Sequence, residues 1–335
     1  MKRKDKILVG DIGGTNCRLA TCDVSTGLID EIRVMAVADF KSLDEAIREF
    51  RAIVPRYKFS CGSISIANPI ASDRVSMTNA HWDFSIEQTR INAGLDRLIM
   101  LNDWEAVALS LPVLQDSDLE PINYCPKNET GNRALCGVGT GLGAAGLVRR
   151  RDGEWVPVSG EGGHVSFSPV SEEESAIFKI IQQKNDHVSF EKILSGPGLV
   201  SLYRAVAKLN GARVERFTPQ EIVAGVTSQN DPICKKTVEV FCEILGNFAG
   251  NLCLTLGATG GIYVGGGVTQ KIHGVGLFER EKFLDRLTQK GRLSGWLQDI
   301  PAYLLKTPYA GLIGSAVALD VGRARVSNRS ISQLT

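Results

Sequence analysis

An α/β fold in two related lobes is predicted by three features of the sequence. Short apolar runs of strand length alternate with amphipathic stretches opened by helix-capping signals, the pattern of a sheet with right-handed crossovers. A strand, a glycine turn and a second strand, spread over Lys6 to Cys22, recur as a unit over Leu135 to Val148. The length of 335 residues exceeds what one small domain needs. Two such units suggest two lobes facing one cleft.

The elements follow in order from local chemistry. Lys6 to Ile12 reads as a buried strand and Cys17 to Cys22 as its partner, joined by Gly13-Gly14-Thr15. Adjacent glycines are expected there to supply φ > 0 and to bring backbone N–H groups close to a ligand. A third strand is expected over Ile32 to Val37, then a capping box at Ser42-Leu43-Asp44-Glu45 with a helix running to Pro55. Ser63 to Ala67 reads as an alternating strand ending at Asn68-Pro69, Ser85-Ile86-Glu87-Gln88 as a second capping box, and Gly94 as the close of its helix. Leu98 to Leu101 is a short buried strand that runs into Asn102-Asp103 and a helix through Trp104 to Leu111. The polar stretch from Gln115 to Gly131 reads as a lobe boundary.

Beyond it, Gly139-Thr140-Gly141-Leu142-Gly143 is a glycine turn between strands. Gly141 to Gly146 also spells G-x-G-x-x-G, but a dinucleotide site needs a helix at those glycines, and the residues that follow read as a hairpin. Ser171 and Thr218 open capped helices, the latter with Pro219 in its first turn. Asp231-Pro232 opens a long helix to about Leu256, where Gly246 and Gly250 permit close packing. Its polar residues Glu239, Glu243, Asn247 and Asn251 fall every fourth position, the stripe of an amphipathic soluble helix and not of a membrane span. Ile262 to Val264 feeds Gly265-Gly266-Gly267, and a last helix over Gly311 to Val321 is expected to return to the first lobe.

Composition excludes several classes. With 38 basic and 37 acidic residues, net charge +1, no global field recruits nucleic acid or an anionic membrane. The basic start Lys2-Arg3-Lys4 precedes an apolar run of only strand length, so it is not read as a secretory signal. The eight cysteines contain no C-x-x-C and no paired metal spacing, which points to reduced thiols and a cytoplasmic setting.

Successive N–H groups gathered in a turn make a concave anion site. Asp11 stands beside the first such turn, where a carboxylate can hold a hydrated Mg²⁺ next to phosphate; an ordinary Gly-Gly hairpin is the alternative. No G-x-x-x-x-G-K-[ST] occurs. Three glycine turns each follow a strand, two with a threonine (Thr15, Thr140), and they resemble the phosphate-1, phosphate-2 and adenosine segments of actin-like ATPases and sugar kinases.

Gly10-Asp11-Ile12-Gly13-Gly14-Thr15-Asn16, Met77-Thr78-Asn79, Leu101-Asn102-Asp103, Gly139 to Gly143, Gly160-Glu161-Gly162-Gly163-His164, Leu194-Ser195-Gly196-Pro197-Gly198 and Gly265-Gly266-Gly267 succeed one another as in bacterial glucokinases. The chain resembles the group of that family lacking the repressor-type zinc motif, and the resemblance covers nearly its whole length. It implies the two-lobed actin-like ATPase (ribonuclease H-like) fold, with a small domain of 1–113 plus about 307–327 and a large domain of 114–306. It also implies ATP-dependent phosphorylation of D-glucose at the 6-hydroxyl, with ATP and Mg²⁺ as cofactors and a homodimer as the assembly.

The resemblance assigns Asp103 as the base that accepts the hydroxyl proton; from spacing alone Asp103 equally reads as the N-cap ahead of Trp104. It places Asn102, Glu161, His164 and Glu191 on the sugar, although an isolated His164 also reads as a core histidine and Glu191 as an exposed helix residue. Asp11, Gly13, Gly14, Thr15, Gly139, Thr140, Gly141, Gly265, Gly266 and Gly267 fall on ATP, with Asp11 also on the metal. Asn68 stays outside this set. Two other classes share the fold. A sugar-responsive repressor would add a DNA-reading module and a cysteine-rich zinc motif after His164, and a filament-forming ATPase would not need the Asn102-Asp103 and Glu161-His164 words.

Overall fold

The computed structural model describes residues 6–77, 80–216, 218–321 and 325–326. The basic start, most of the Met77-Thr78-Asn79 word and part of the expected 307–327 return lie outside the described residues. The chain divides into two units, Met1–Asp116 with Thr307–Thr335, and Ser117–Lys306.

In the first unit β1 (Lys6–Ile12), β2 (Asn16–Asp23) and β3 (Leu28–Ala36) form an antiparallel meander. The third strand thus starts before the expected Ile32, and Val37 already belongs to a 3-10 turn. α1 (Leu43–Ile53) follows, but the expected capping box does not form. The Ser42 hydroxyl donates to Asp44 (2.6 Å), and the Glu45 carboxylate takes the Lys41 N–H instead (2.7 Å). β4 (Phe59–Ile66) lies parallel to β1 and is buried on both faces from Gly62 onward, not alternating as expected. A central parallel strand covered on both sides has no solvent face to be polar on. β5 (Arg74–Ser76) and β6 (Asp83–Ser85) make a separate ribbon. α2 (Ile86–Asn92) is capped by Ser85, which accepts from Gln88 N–H, and Gly94 closes it at φ 60°. β7 (Arg97–Asn102), parallel to β4, runs directly into α3 (Asp103–Ser110).

In the second unit the polar stretch expected as a boundary contributes a strand of its own, β8 (Leu119–Pro121). β9 (Arg133–Val138), β10 (Leu142–Arg149) and β11 (Trp155–Gly160) are antiparallel neighbours. A strand, not a helix, therefore follows the G-x-G-x-x-G glycines. α4 (Glu172–Gln182), α5 (Gly196–Leu209) and α6 (Pro219–Gln229) carry the side-chain caps Ser171, Ser195 and Thr218. α7 (Pro232–Leu256) starts at the Asp231 cap and ends at Gly257, φ 58°. β12 (Gly261–Gly265) leads into α8 (Gly267–Gly274), followed by α9 (Arg280–Thr288), α10 (Ser294–Gln298) and β13 (Ala302–Leu305). The sheet order is β11-β10-β9-β12-β13-β8.

The polar stripe on α7 is not a solvent face. Lys282 of α9 reaches Glu243 (2.8 Å) and Glu239 (3.6 Å), and Lys290 bonds the buried Asn247. Gly246 and Gly250 explain how α9 comes so near. A methyl group on either would stand 2.1 Å from the Phe283 carbonyl oxygen or 2.3 Å from that of Leu287.

The chain returns to the first unit as α11 (Ala310–Val317), shorter than the expected Gly311–Val321, and β14 (Arg325–Val326) beside β3. That sheet runs β14-β3-β2-β1-β4-β7. Alternation along β1 and β2 supplies both of its cores. Leu8, Ile12 and Cys17 join the α1 cluster, while Ile7, Val9 and Cys22 pack with Leu312, Ile313 and Ala316. The two cysteines therefore lie on opposite faces, as their odd spacing predicts.

Candidate active site

In the first unit the turn at Gly13-Gly14-Thr15 is closed by Gly13 N–H donating to Asn16 O (2.9 Å), and Thr15 O accepts from Val37 N–H. Neither Gly13 nor Gly14 has positive φ, which corrects the expected reason for the pair. Among the described residues, chain neighbours aside, a Cβ at Gly13 would meet only Asn16 O, at 3.8 Å, so the turn lies open above it. Asp11 is held on both oxygens. Arg18 donates to Oδ2 at 3.0 Å and the Ser65 hydroxyl to Oδ1 at 3.1 Å. Arg18 was not anticipated, yet the hairpin register pairs it directly with Asp11. α11 leaves room for the carboxylate, since a methyl at Gly311 would stand 2.8 Å from it. A carboxylate offers about four lone-pair positions, so Asp11 retains capacity beyond these two donors. Among the described residues no group of three or more His, Cys, Asp or Glu converges on a metal position. This donor set fits a cation held by one carboxylate and otherwise by substrate oxygens and water, the habit of Mg²⁺.

Asn102 ends β7 and is the cap of α3. Its Oδ1 accepts from Trp104 N–H (2.9 Å) and Glu105 N–H (3.3 Å), while the Asn102 N–H donates back to Glu105. Burial pushes the Glu105 carboxyl above its usual range, against that bond. The N-cap role read for Asp103 falls instead to Asn102, and Asp103 is the first helical residue, its Oδ1 accepting from Trp104 N–H at 3.0 Å. A helix N-terminus favours a carboxylate there. Asn102 Nδ2 points to the Asn68 carbonyl at 3.5 Å. Parallel pairing aligns Ile66 with Asn102, which brings Asn68, left aside in the sequence reading, to the same strand edge.

In the second unit Glu161, His164 and Glu191 come together. His164 sits in the 3-10 turn Gly162–His164, with Nε2 3.9 Å from Glu161 Oε2 and 3.9 Å from Glu191 Oε2. Its side chain is 58% exposed, so the core-histidine reading fails. Gly163 must be small, because a methyl there would stand 2.0 Å from Leu142 O. Glu191 lies in the turn Phe190–Lys192 and is fixed by burial of Phe190 against Phe167 and Phe248. Its Oε2 accepts from Leu142 N–H at 2.9 Å, just past Gly139-Thr140-Gly141. That turn is closed by Gly139 N–H donating to Gly141 O (2.9 Å).

The third turn is Gly265-Gly266-Gly267. Beside it Val264, Thr269, Gln270, His273, Leu304 and Lys306 line a cavity of about 130 Å³. The buried Thr269 hydroxyl on its wall has no partner among the described residues, and nothing in the sequence pattern signalled it.

Residues 8–321 match the family model described as Glucokinase. The chain belongs to the glucokinase family. A glucokinase of Chromobacterium violaceum is 42% identical over 312 residues, 93% of this chain and 88% of that relative. A crystal structure of glucokinase from an Antarctic psychrotroph is 34% identical with a TM-score of 0.85, covering 94% of this chain and 99% of the other. A ROK family glucokinase from Streptomyces griseus, solved with glucose and AMPPNP, shares the fold at 18% identity and TM-score 0.62, covering 93% of this chain and 98% of the other. Membership makes the chain a hexose kinase of the actin-like ATPase fold, and sets aside the repressor and filament readings.

Proposed function

We propose that this glucokinase-family chain transfers the γ-phosphoryl group of ATP to the 6-hydroxyl of D-glucose, giving glucose 6-phosphate and ADP. The observation that carries the reading is the meeting of Glu161, His164 and Glu191 beside the Gly139–Gly141 turn. Hydroxyl-accepting groups then adjoin a turn suited to phosphate. Acceptors of this kind fit the hydroxyl donors of a sugar ring, and Asn102 takes a further hydroxyl through its amide. Asp103 receives the O6 proton as the O6–P bond forms and the P–O bond to ADP breaks. The turns at Gly13-Gly14-Thr15 and Gly139-Thr140-Gly141 hold phosphates through backbone N–H groups. Gly265-Gly266-Gly267 and its neighbouring cavity take the nucleoside end. Mg²⁺ bound at Asp11 would spread the phosphate charge.

Reduced thiols support a cytoplasmic setting, and family likeness supports a homodimer, which sedimentation tests. Among the described residues no helix is long and apolar enough to cross a membrane.

A coupled assay with ATP and a panel of hexoses tests the activity. Glucose-dependent ADP release is expected, stopped by chelator and restored by Mg²⁺. Asp103→Ala should lower kcat by at least ~10²-fold with the circular dichroism spectrum unchanged. A folded Asp103→Ala variant with normal turnover would remove Asp103 from the mechanism, and absence of any hexose-dependent ADP release would end the reading itself.

A further inference from the structure

The segment carrying Glu191 is tied on one side to the sugar cluster and on the other to the phosphate turn. Phe190 N–H donates to Val165 O (3.1 Å), Phe167 N–H to Val188 O (2.9 Å), and His187 Nε2 lies 3.0 Å from His164 O. Gly196 N–H donates to Gly139 O (2.8 Å), and Leu142 N–H to Glu191 Oε2 (2.9 Å), so the turn is gripped at both ends. The Ser195 hydroxyl closes the segment on itself by donating to Glu191 O at 2.8 Å. One oxygen, Glu191 Oε2, serves both sides, since His164 Nε2 stands 3.9 Å from it. That oxygen also accounts for Gly141. A methyl at Gly141 would lie 2.6 Å from it, and among the described residues, chain neighbours aside, such a methyl would approach Glu191 alone within 4 Å.

From this geometry we propose that Glu191 is a positioning residue for the Gly139–Gly141 turn. It links occupancy of the sugar cluster to the grip on nucleotide phosphate, and Gly141 is glycine to leave room for its carboxylate. The proposal rests on the reading of Glu161, His164 and Glu191 as sugar contacts. Sugar hydroxyls that fix the Glu191 carboxylate also fix the acceptor that holds Leu142 N–H, so the turn is ordered before phosphate arrives. Coupling of this kind is reciprocal between the two ligands.

Calorimetric titration of a non-hydrolysable ATP analogue, with and without saturating glucose, tests it. The wild type should bind the analogue more tightly with glucose. Glu191→Ala should weaken analogue binding about tenfold even without sugar, the scale of a lost charge-assisted hydrogen bond, and should abolish the glucose effect. Glu191→Gln keeps an acceptor for Leu142 N–H, so its sugar-free analogue affinity should stay within about threefold of wild type. Gly141→Ala should mimic Glu191→Ala by pushing the carboxylate away, but should add almost nothing in a Glu191→Ala background. Wild-type analogue affinity in Glu191→Ala together with lost glucose binding overturns the proposal and leaves the sugar site standing. Unchanged affinity for both ligands overturns the sugar assignment of Glu191 as well. Additive effects of Gly141→Ala and Glu191→Ala refute the steric account of Gly141.

Discussion

Replacing Gly266 by alanine should do far more damage than the same change one residue later. Gly266 has φ 90° and ψ 149°, close to a region that only glycine occupies, where an alanine costs about 1–3 kcal/mol. Its new methyl would also stand 2.3 Å from Val138 O, 2.4 Å from Val138 N and 2.6 Å from Val138 C. Those are backbone atoms of β9, the strand leading into Gly139, and cannot rotate aside. Forcing them apart adds roughly 1–3 kcal/mol of overpacking, so the sum is about 2–6 kcal/mol. For a unit of this size each kcal/mol moves Tm by about 2–4 °C, which puts the expected loss at roughly 4–24 °C. Gly267, in contrast, lacks positive φ, and among the described residues beyond its chain neighbours and own helix backbone no heavy atom comes within 4 Å of the added carbon. As the first residue of α8 it should gain up to about 1 kcal/mol as alanine. Scanning calorimetry of the two variants, paired with ATP-analogue titration, reads both effects. Because the displaced strand end carries the turn proposed to hold phosphate, Gly266→Ala should also weaken nucleotide binding. A Gly266→Ala protein melting within 1–2 °C of wild type, against the ~4 °C minimum worked above, refutes the reasoning, as does Gly267→Ala falling equally far.

Further tests bear on other parts of the molecule. Gly246→Ala should destabilise by about 1–3 kcal/mol because the methyl meets Phe283 O, whereas Gly295→Ala, with open space around it, should be neutral or slightly stabilising; equal melting temperatures for the pair count against close α7–α9 packing. Burial opposes the Asp23 carboxylate, but hydrogen bonds from Ser25 and Thr26 and the charge of Lys6 outweigh it and hold its pKa at about 2, against 3.8 ordinarily. A pKa lowered by folding contributes stability above the ordinary value that is lost as pH falls through about 2, so urea titrations should show Asp23→Asn closing the gap to wild type only below about pH 4. Burial drives the Cys17, Cys22, Cys242 and Cys253 thiols up to about 12, while Cys61 and Cys125 are partly exposed. A thiol reagent at pH 8 should therefore label the native protein at Cys61 and Cys125 first, as peptide mapping reports; early modification of Cys17 would contradict the packing of β2.

What was legible in the sequence was local. α7 begins at the Asp231-Pro232 signal and ends at Leu256 as read, because a cap, a proline and a terminal glycine act within a few residues of themselves. The β1–β2 and β9–β10 hairpins were equally legible from apolar runs broken by glycines. Even locally, competition misleads: Asp44 draws the Ser42 hydroxyl away from the box that the spacing spelled.

The remainder was decided by segments distant in the chain. The stripe Glu239, Glu243 and Asn247 is polar whether it meets water or lysines, and only the fold brings Lys282 of α9, and Lys290 just beyond that helix, against it. His164 reads from the sequence as a core residue or an exposed one, and only the fold leaves its side chain open beside Glu161 and Glu191. Spacing offers Asp103 as a cap, but Asn102 takes it, which follows from where β7 ends against β4. In Gly265-Gly266-Gly267 three identical letters carry three different constraints. A methyl there would face the Leu305 side chain at the first, Val138 backbone at the second and open space at the third. Composition and periodicity report what a residue prefers, whereas the clearance around a carbon atom depends on which backbone the fold has placed beside it.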